Sequence, residues 1–267
     1  MTKPYIIGEA GSCHEEILER AVDLIQVANV SGCSAVKFQY WSTPKRMRER
    51  RHVKSDETFE RGSIKESWFP VLRNEAHARG IQFLCTAYLP EDVPLVSAYV
   101  DAFKIASFEN SNRPLMHAVA RHAIDSKRQV FLSLGMQRAA TTYQFFPWSA
   151  AHPEPVVTFH CVTSYPCPPD QANLGAIRQG GGYSDHTRVV FAGGLAVAAG
   201  ADYLEVHYRL DGTSPDCPDY CVALSPDELA RYVEFARMAY MMRGTGHREA
   251  QTCELPNLVY AVEAGAD

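Results

Sequence analysis

Residues that can do chemistry recur along the whole chain, each beside a short apolar run. They include two lysines, two histidines, several hydroxyls and several carboxylates, at Glu9; Lys37 and Gln39; Thr86; Lys104, Ser107 and Glu109; Ser133; Thr163 and Tyr165; Ser184, Asp185 and His186; and Glu205 and His207. Ammonium and hydroxyl groups donate hydrogen bonds to phosphate and carboxylate oxygens. The set therefore predicts a site for an anionic substrate that carries such groups.

The two histidines are candidate metal ligands. Neutral imidazole binds divalent transition metals, and water and substrate oxygens can supply the remaining ligands. His186 and His207 are 21 residues apart and form no compact metal-binding motif. From spacing alone, a ligand pair and two ordinary buried histidines both stay open.

The elements that must position these residues are short apolar runs that alternate with amphipathic helical patterns. Helical spacing covers residues 15–31, 66–79, 114–126 and 226–242, and eight apolar runs cover 5–8, 34–38, 81–85, 102–106, 130–134, 156–161, 182–184 and 203–206. Continuous apolar runs bounded by polar residues are typical of parallel strands that are buried on both faces.

Eight strands separated by crossover segments predict one α/β domain, a (β/α)8 TIM barrel. A doubly wound sheet is disfavoured because no Gly-x-Gly-x-x-Gly motif follows the first run. We expect the barrel to span residues 1–245 and a C-terminal tail to span 246–267. Catalytic residues of TIM barrels lie at the carboxyl ends of the strands, so the polar residues above should meet in one active site.

Composition sets limits on the function. The chain has 267 residues, 46% of them hydrophobic, and a formal net charge of −5, which disfavours nucleic-acid binding. Its eight cysteines form neither a disulfide framework nor a zinc motif, and Cys217 and Cys221 lack a second pair. No signal peptide or membrane-spanning run is evident, so we expect a cytoplasmic protein without a membrane partner.

Seven segments resemble, in order, the motifs of the N-acetylneuraminate (sialic acid) synthase family, which includes legionaminate and pseudaminate synthases. The resemblance extends to about residue 243 and rests on IIGEAGSCH at 6–14, VKFQ at 36–39, FKIASFE at 103–109, LSLGM at 132–136, HCVTSYP at 160–166, YSDHT at 183–187 and EVH at 205–207. It implies a transferase that joins phosphoenolpyruvate to a sugar-like aldehyde. Its product would be a 2-keto-3-deoxy acid of the nonulosonic type, formed with release of phosphate and the help of Mn2+ or Mg2+.

The resemblance also implies roles, position by position. Glu9, Lys37, Lys104, His186 and His207 would be catalytic, with the two histidines as metal ligands. Phosphoenolpyruvate would be held by Lys37, Thr86, Lys104, Ser107, Ser133 and Ser184, whereas Gln39, Glu109, Thr163, Tyr165 and Asp219 would face the acceptor.

The chain departs from the family pattern on the acceptor side. Cys13 stands where the family usually has Asn, Thr163 stands where some members have Asn, and the segment between the second and third strands is short. The sequence stops where family members continue into a small antifreeze-like domain that reaches the partner subunit's site. We therefore expect an acceptor other than N-acetylmannosamine, or completion of the site by a homodimer partner or a separate chain.

A basic cluster follows the second strand. It comprises Lys45, Arg46, Arg48, Arg50, Arg51 and Lys54, interleaved with Glu49 and Asp56. The cluster fits either a solvated charged loop or a mobile lid that recognises an anionic acceptor.

Two other functions remain open from sequence. A barrel aldolase could form a Schiff base on Lys104 or Lys37, which borohydride would trap. A non-catalytic barrel would bind phosphoenolpyruvate without turnover and would need a partner chain.

Overall fold

The computed structural model describes residues 4–51, 58–136, 156–246 and 249–260, with only the backbone at 50, 51 and 58. Eight parallel strands close a barrel in chain order, which confirms the predicted TIM barrel. The strands are β1 (Tyr5–Glu9), β2 (Ala35–Tyr40), β3 (Gln82–Ala87), β4 (Ala102–Ile105), β5 (Val130–Leu134), β6 (Val157–Cys161), β7 (Gly182–Asp185) and β8 (Tyr203–His207).

Helices surround the barrel. In the described residues the α-helices are α1 (Leu18–Val30), α2 (Pro44–Arg51), α3 (Thr58–Arg61), α4 (Phe69–Ala78), α5 (Val93–Ser97), α6 (Arg113–Ser126), α7 (Ala192–Ala198) and α8 (Pro226–Arg243). Short 3-10 helices cover Glu66–Trp68, Pro90–Asp92, Ser107–Glu109, Pro169–Gln171, Leu174–Ala176 and Thr252–Tyr260. None of the helices among these residues is both long and apolar enough to cross a membrane.

Alternation along each strand builds the barrel interior in two layers. Ile7 on β1, Ala35 on β2 and Phe131 on β5 belong to a buried apolar cluster inside the barrel. The next inward residue on each of these strands is polar: Glu9, Lys37 and Ser133. Because side chains two residues apart point to the same face, an apolar plug lies below and polar residues lie above it, at the carboxyl ends.

The strand registers place these polar residues side by side. Glu9 pairs with Lys37 on β2 and with His207 on β8. Ser184 on β7 pairs with Glu205 on β8. Residues far apart in sequence are thus neighbours on one rim.

Helix ends follow the sequence signals closely, with one exception. The predicted start at Ser225 is a capping box, in which Ser225 and Glu228 satisfy each other's backbone N–H groups. In contrast, α1 begins at Leu18 and not at residue 15, because Glu15 and Glu16 have left-handed backbone conformations, with φ of 48° and 62°. The sequence pattern after the fifth strand is poor for a helix, with Phe145, Phe146, Pro147 and Trp148 close together, and this segment lies outside the described residues.

Candidate active site

A cavity of about 730 Å³ opens at the carboxyl ends of the strands. Its lining includes most of the residues that the sequence singled out, namely Glu9, Lys37, Gln39, Lys104, Ser107, Ser133, Tyr165, Ser184, His186, His207 and Asp219. The structure therefore brings these side chains together around one enclosed space.

The base of the cavity, here called the polar floor, consists of Glu9, Lys37, Lys104, Ser133, Ser184 and Glu205. Lys104 Nζ donates to Ser133 Oγ at 2.8 Å and lies 3.2 Å from Glu205 Oε2. Ser184 Oγ donates to the same carboxylate oxygen at 2.7 Å. Three strands, β4, β7 and β8, thus converge on Glu205.

The second lysine completes the polar floor. Lys37 Nζ lies 2.6 Å from Glu9 Oε2 and 3.2 Å from Glu205 Oε1, and it donates to Thr86 Oγ1 at 3.1 Å. Each of the two carboxylates is only 4% exposed at its side chain. Two buried ammonium groups and two buried carboxylates therefore neutralise one another.

Burial and pairing shift the pKa values of this group in different directions. Burial raises the pKa of Glu9, partly offset by Lys37. Burial also disfavours the charged form of Glu205, but Lys104 and Lys37 together hold its pKa well below its usual value. Desolvation lowers the pKa of Lys104, whereas Lys37, although equally buried, has a raised pKa because of Glu9 and Glu205. Glu9 is consequently the carboxyl of the floor best suited to hold a proton.

The rings of His186 and His207 lie next to each other in the lining of the cavity. Their ring centroids are 5.5 Å apart, and the ring of Tyr165 lies 4.1 Å from that of His186. Asp185 shapes the loop that carries His186 by accepting hydrogen bonds from Thr187 N and Oγ1, both at 2.7 Å.

His186 is prepared to act as a ligand. Its Nδ1 donates to the carbonyl oxygen of Val162 at 2.8 Å, which leaves Nε2 unprotonated in the neutral ring. Burial, followed by the nearby His207, lowers the pKa of His186 to about 4. A backbone carbonyl that fixes the tautomer is the usual support of a metal-ligating histidine.

The side chains around the histidine pair could supply two of the ligands of a divalent metal. His207 Nδ1 is buried and makes no hydrogen bond within the described residues, and it lies 3.7 Å from Asp219 Oδ1. In the same part of the chain, no group of three or more His, Cys, Asp or Glu side chains is arranged to hold a metal ion. The protein thus offers two imidazoles, and water or substrate oxygens would have to complete the coordination.

Asp219 reaches the cavity because Ser12 holds it. Asp219 Oδ2 accepts hydrogen bonds from Ser12 N and Ser12 Oγ, both at 2.7 Å. The neighbouring Gly11 has φ +50°, and a Cβ there would lie 2.3 Å from Asp219 Oδ2, so the turn requires glycine. Beside it the Sγ atoms of Cys13 and Cys217 are 3.7 Å apart, both free and buried.

The outer end of the cavity is apolar. Here Trp41, Met47, Phe59 and Tyr88 form what we call the aromatic wall. The ring of Trp41 meets those of Phe59 and Tyr88 edge to face, at 6.0 and 5.4 Å, and Met47 is 1% exposed. None of these four residues stood out in the sequence, because their separate apolar positions belong to no motif.

Four of the residues singled out from sequence, Thr86, Glu109, Thr163 and Asp185, do not line the cavity. Thr86 lies behind Lys37, and Glu109 is 1% exposed and accepts a hydrogen bond from Asn112 Nδ2 at 2.6 Å, at the start of α6. Thr163 packs against Gly135, where a Cβ would lie 1.9 Å from Thr163 Oγ1. Glu109 and Thr163 thus contact neighbouring loops in the described structure, and their contact with an acceptor stays a prediction.

Sequence reasoning gave Glu205 no role, although the structure places it at the centre of the polar floor. Its position two residues before His207, on the same face of β8, was the available signal. Only the structure reveals that both lysines converge on it.

The described side chains of the basic cluster, Lys45, Arg46 and Arg48, do not line the cavity. Arg46 pairs with Glu91, Arg48 with Glu60, and Lys45 lies 4.0 Å from Glu49, with exposed side chains on most of these partners. Lys54 and the side chains of Arg50 and Arg51 lie outside the described residues. The residue that α2 turns inward is Met47, which packs on Trp41 and Leu89.

Comparison with known proteins gives consistent results. The sequence profile of the NeuB family matches residues 24–248. An N,N'-diacetyllegionaminic acid synthase of Legionella pneumophila is 29% identical, with 94% of this chain and 76% of the relative aligned. An N-acetylneuraminate-9-phosphate synthase of Drosophila melanogaster is also 29% identical, over 84% of this chain and 65% of the relative. The crystal structure of an N-acetylneuraminic acid (sialic acid) synthetase from Leptospira borgpetersenii, in complex with citrate, superposes with a TM-score of 0.83 at 29% identity, covering 96% of this chain and 90% of that one.

Proposed function

The chain belongs to the NeuB family, and on this premise we propose that it condenses phosphoenolpyruvate with the open-chain form of a sugar aldehyde to give a nonulosonic-type 2-keto-3-deoxy acid and phosphate. The observation that carries the proposal is the convergence of Lys37 and Lys104 on the polar floor, beside the histidine pair. Two ammonium groups next to serine hydroxyls match the phosphate and carboxylate of phosphoenolpyruvate.

The polar floor would bind phosphoenolpyruvate by exchange of partners. In the described structure the carboxylates of Glu9 and Glu205 neutralise the two lysines. An incoming phosphate or carboxylate oxygen can take over the hydrogen bond that Lys104 now makes to Ser133 and the one that Ser184 makes to Glu205. Glu205 would keep both ammonium groups in place throughout, so that no reorganisation is needed during the reaction.

The reaction balances with one water molecule. The π electrons between C2 and C3 of phosphoenolpyruvate form the new bond from C3 to the aldehyde carbon, and the aldehyde oxygen gains a proton. Water adds at C2 and loses a proton, and the C2–O bond to phosphate then breaks with its electron pair on the phosphate. Loss of the hydroxyl proton leaves the keto acid.

Glu9 would be the group that moves protons at C2. Its carboxylate lies at the end of β1 on the polar floor, 2.6 Å from Lys37. Burial raises its pKa, which suits a general base that must also hold the proton it takes. Lys37 would stabilise the charge on the leaving phosphate.

His186 and His207 would hold a divalent metal, which when bound supplies a Lewis acid to the acceptor aldehyde. His186 would contribute Nε2, since its Nδ1 is committed to Val162. The charges of the floor lysines and carboxylates cancel, so a cation would also help to bind the multiply charged phosphoenolpyruvate.

Release of phosphate tests this proposal. Phosphoenolpyruvate with Mn2+ should release phosphate only in the presence of an aldehyde acceptor, and mass spectrometry should detect the condensed acid. Lys104→Met should abolish turnover, since it replaces the ammonium with an apolar group of similar length. Because it also removes a charge partner of the buried Glu205, circular dichroism should verify that the variant is folded. Phosphate release without an acceptor, or none with any acceptor despite phosphoenolpyruvate binding, would contradict it.

One observation favours a second candidate, the Schiff-base aldolase. Burial lowers the pKa of Lys104, and a neutral amine is the nucleophile of such enzymes. Reduction with borohydride in the presence of pyruvate or the acceptor separates the two. A covalent adduct on Lys104 supports the aldolase, whereas an unmodified chain is expected of the metal-assisted reaction.

A further inference from the structure

Two buried cysteines meet where the loop after β1 contacts the loop after β8. The Sγ atoms of Cys13 and Cys217 lie 3.7 Å apart, although the two residues are 204 positions apart in the chain. Both are free thiols. Because the sulfur atoms of a disulfide are about 2.05 Å apart, the two atoms need to approach by only about 1.7 Å to form a bond.

The surroundings of this pair favour a thiolate on Cys217. A hydrogen bond with the Cys13 thiol, together with Ser12 Oγ and the backbone N–H of Asp219, lowers the pKa of Cys217 to about 7, although burial opposes the shift. The same contact, followed by burial, raises the pKa of Cys13. Near neutral pH the pair therefore combines a thiolate, which is the reactive form of cysteine, with a thiol beside it.

The cavity provides a route by which a small oxidant can reach the pair. Pro218 and Asp219 line the cavity and directly follow Cys217 in the chain. Cys217 keeps 4% of its surface exposed, whereas Cys13 has none. Hydrogen peroxide is small and uncharged, so it can enter the cavity and should react with Cys217 first.

From this geometry we infer that Cys13 and Cys217 form an oxidation site, a dithiol that a peroxide converts to a disulfide. The Cys217 thiolate attacks one peroxide oxygen, the O–O bond breaks, and the departing hydroxide takes up a proton to become water, which leaves a sulfenic acid on Cys217. The Cys13 sulfur then attacks the Cys217 sulfur, the S–O bond breaks, and the hydroxyl leaves as water with the Cys13 proton. The two thiols lose two electrons in total, and the peroxide is reduced to two water molecules.

Ser12 connects the oxidation site to the candidate active site. Its Oγ lies 3.3 Å from Cys217 Sγ and donates to Asp219 Oδ2 at 2.7 Å, and it accepts a hydrogen bond from Asp219 N at 3.2 Å. Ser12 directly precedes Cys13, and Asp219 follows Cys217 by two residues, so closure of the disulfide should displace both ends of this network. Oxidation should therefore shift Asp219 in the lining of the cavity and lower turnover. Only this consequence rests on the proposed function.

Peptide mapping by mass spectrometry tests the oxidation site. Native protein treated with a small excess of hydrogen peroxide, before any Mn2+ is added, should lose about 2 Da, the mass of two hydrogen atoms, and should give a cross-linked peptide of Cys13 and Cys217. Dithiothreitol should reverse both changes. Oxidation confined to other cysteines, or no loss of thiols, would overturn the inference.

Two variants make the mapping specific. Cys13→Ser removes the second thiol, so Cys217 should stop at the sulfenic acid, which dimedone labels. Cys253→Ser removes an exposed thiol and should still form the disulfide as the wild type does. Formation of the same 2 Da loss in Cys13→Ser would contradict the assignment of the pair.

Kinetics measured on the oxidised protein test the link to the cavity. After removal of peroxide and addition of Mn2+, the cross-linked wild type should have a kcat/KM for the acceptor about tenfold or more below that of the reduced protein, and dithiothreitol should restore it. Peroxide should not change this value in Cys13→Ser. Unchanged turnover of fully cross-linked protein would disprove the link to Asp219. If no acceptor is turned over at all, the proposed reaction is wrong, and the peptide map still decides whether the oxidation site exists.

Discussion

Glu205 Oε2 lies 3.2 Å from Nζ of Lys104, and the two side chains are only 4% and 2% exposed. Glu205 is the carboxylate that pairs with Lys104 among the described residues, so Lys104 depends on it to remain charged at this depth, since an unpaired buried ion is strongly disfavoured. The pair therefore contributes to the stability of the unliganded protein, and the same lysine would bind an anionic substrate.

Replacement of Glu205 by Gln should destabilise the empty protein. The amide keeps the shape but leaves two buried lysines with one carboxylate, and we expect a loss of about 3 kcal/mol in the free energy of unfolding. Inorganic phosphate should restore part of this loss and should stabilise the variant more than the wild type. Denaturant unfolding with and without phosphate measures both effects, and Glu234→Gln on the exposed face of α8 is the matched control. Equal stability of Glu205→Gln and wild type would argue against the pairing.

Metal binding should depend on both histidines. Mn2+ at about 100 times its dissociation constant should stabilise the wild type by about 2.7 kcal/mol, because it binds the folded state. His186→Gln and His207→Gln should each abolish this shift in thermal unfolding. His77→Gln, which changes a histidine paired with Asp101 far from the cavity, should retain it. A shift that persists in both cavity variants would place the metal elsewhere.

Ser12 should act as a positioning residue for Asp219. Ser12→Ala removes the hydroxyl that donates to Asp219 at 2.7 Å, and a hydrogen bond to a charged group contributes about 1.5–3 kcal/mol. We expect kcat/KM for the acceptor to fall at least about tenfold, with the KM of phosphoenolpyruvate unchanged. Steady-state kinetics in both substrates checks this, and Ser126→Ala, which removes a hydroxyl at the exposed end of α6 that donates to His122 O at 2.6 Å, serves as the control. Equal effects on both substrates would indicate a general loss of structure.

The capping box of α8 should contribute a pH-dependent part of the stability. The backbone N–H of Ser225, first among the causes, lowers the pKa of Glu228 below its usual value of 4.5. A depressed folded-state pKa means that the stabilisation is present above pH 4.5 and is lost as the pH falls through the folded-state value. Compared with Glu228→Gln, the wild type should be more stable by up to about 1 kcal/mol at pH 7.

Unfolding measured across this pH range tests the sign. The difference between wild type and Glu228→Gln should shrink toward zero as the solution becomes more acidic. Glu234→Gln, further along the same helix, should show a smaller difference at every pH. A difference that grew with acidity would contradict the assignment.

The sequence by itself determined the architecture and the identity of the rim. Eight apolar runs with crossover segments specify a parallel barrel, and the period of two along each strand fixes which side chains point inward. Lys37, Lys104, His186 and His207 could therefore be placed at one end of the barrel without coordinates. The motifs that resemble the sialic acid synthases added their order and spacing.

Tertiary structure decided which of these residues are in contact and which apolar side chains line the outer end of the cavity. A strand's own pattern says which face a residue takes, but the closure of the barrel sets its neighbours across the interior, and so Glu205 came to lie between two lysines from other strands. The aromatic wall likewise joins Trp41, Met47, Phe59 and Tyr88 from two strand ends and two short helices. Packing among apolar side chains is non-directional. The spacing of these four residues in the sequence therefore does not indicate that they pack together.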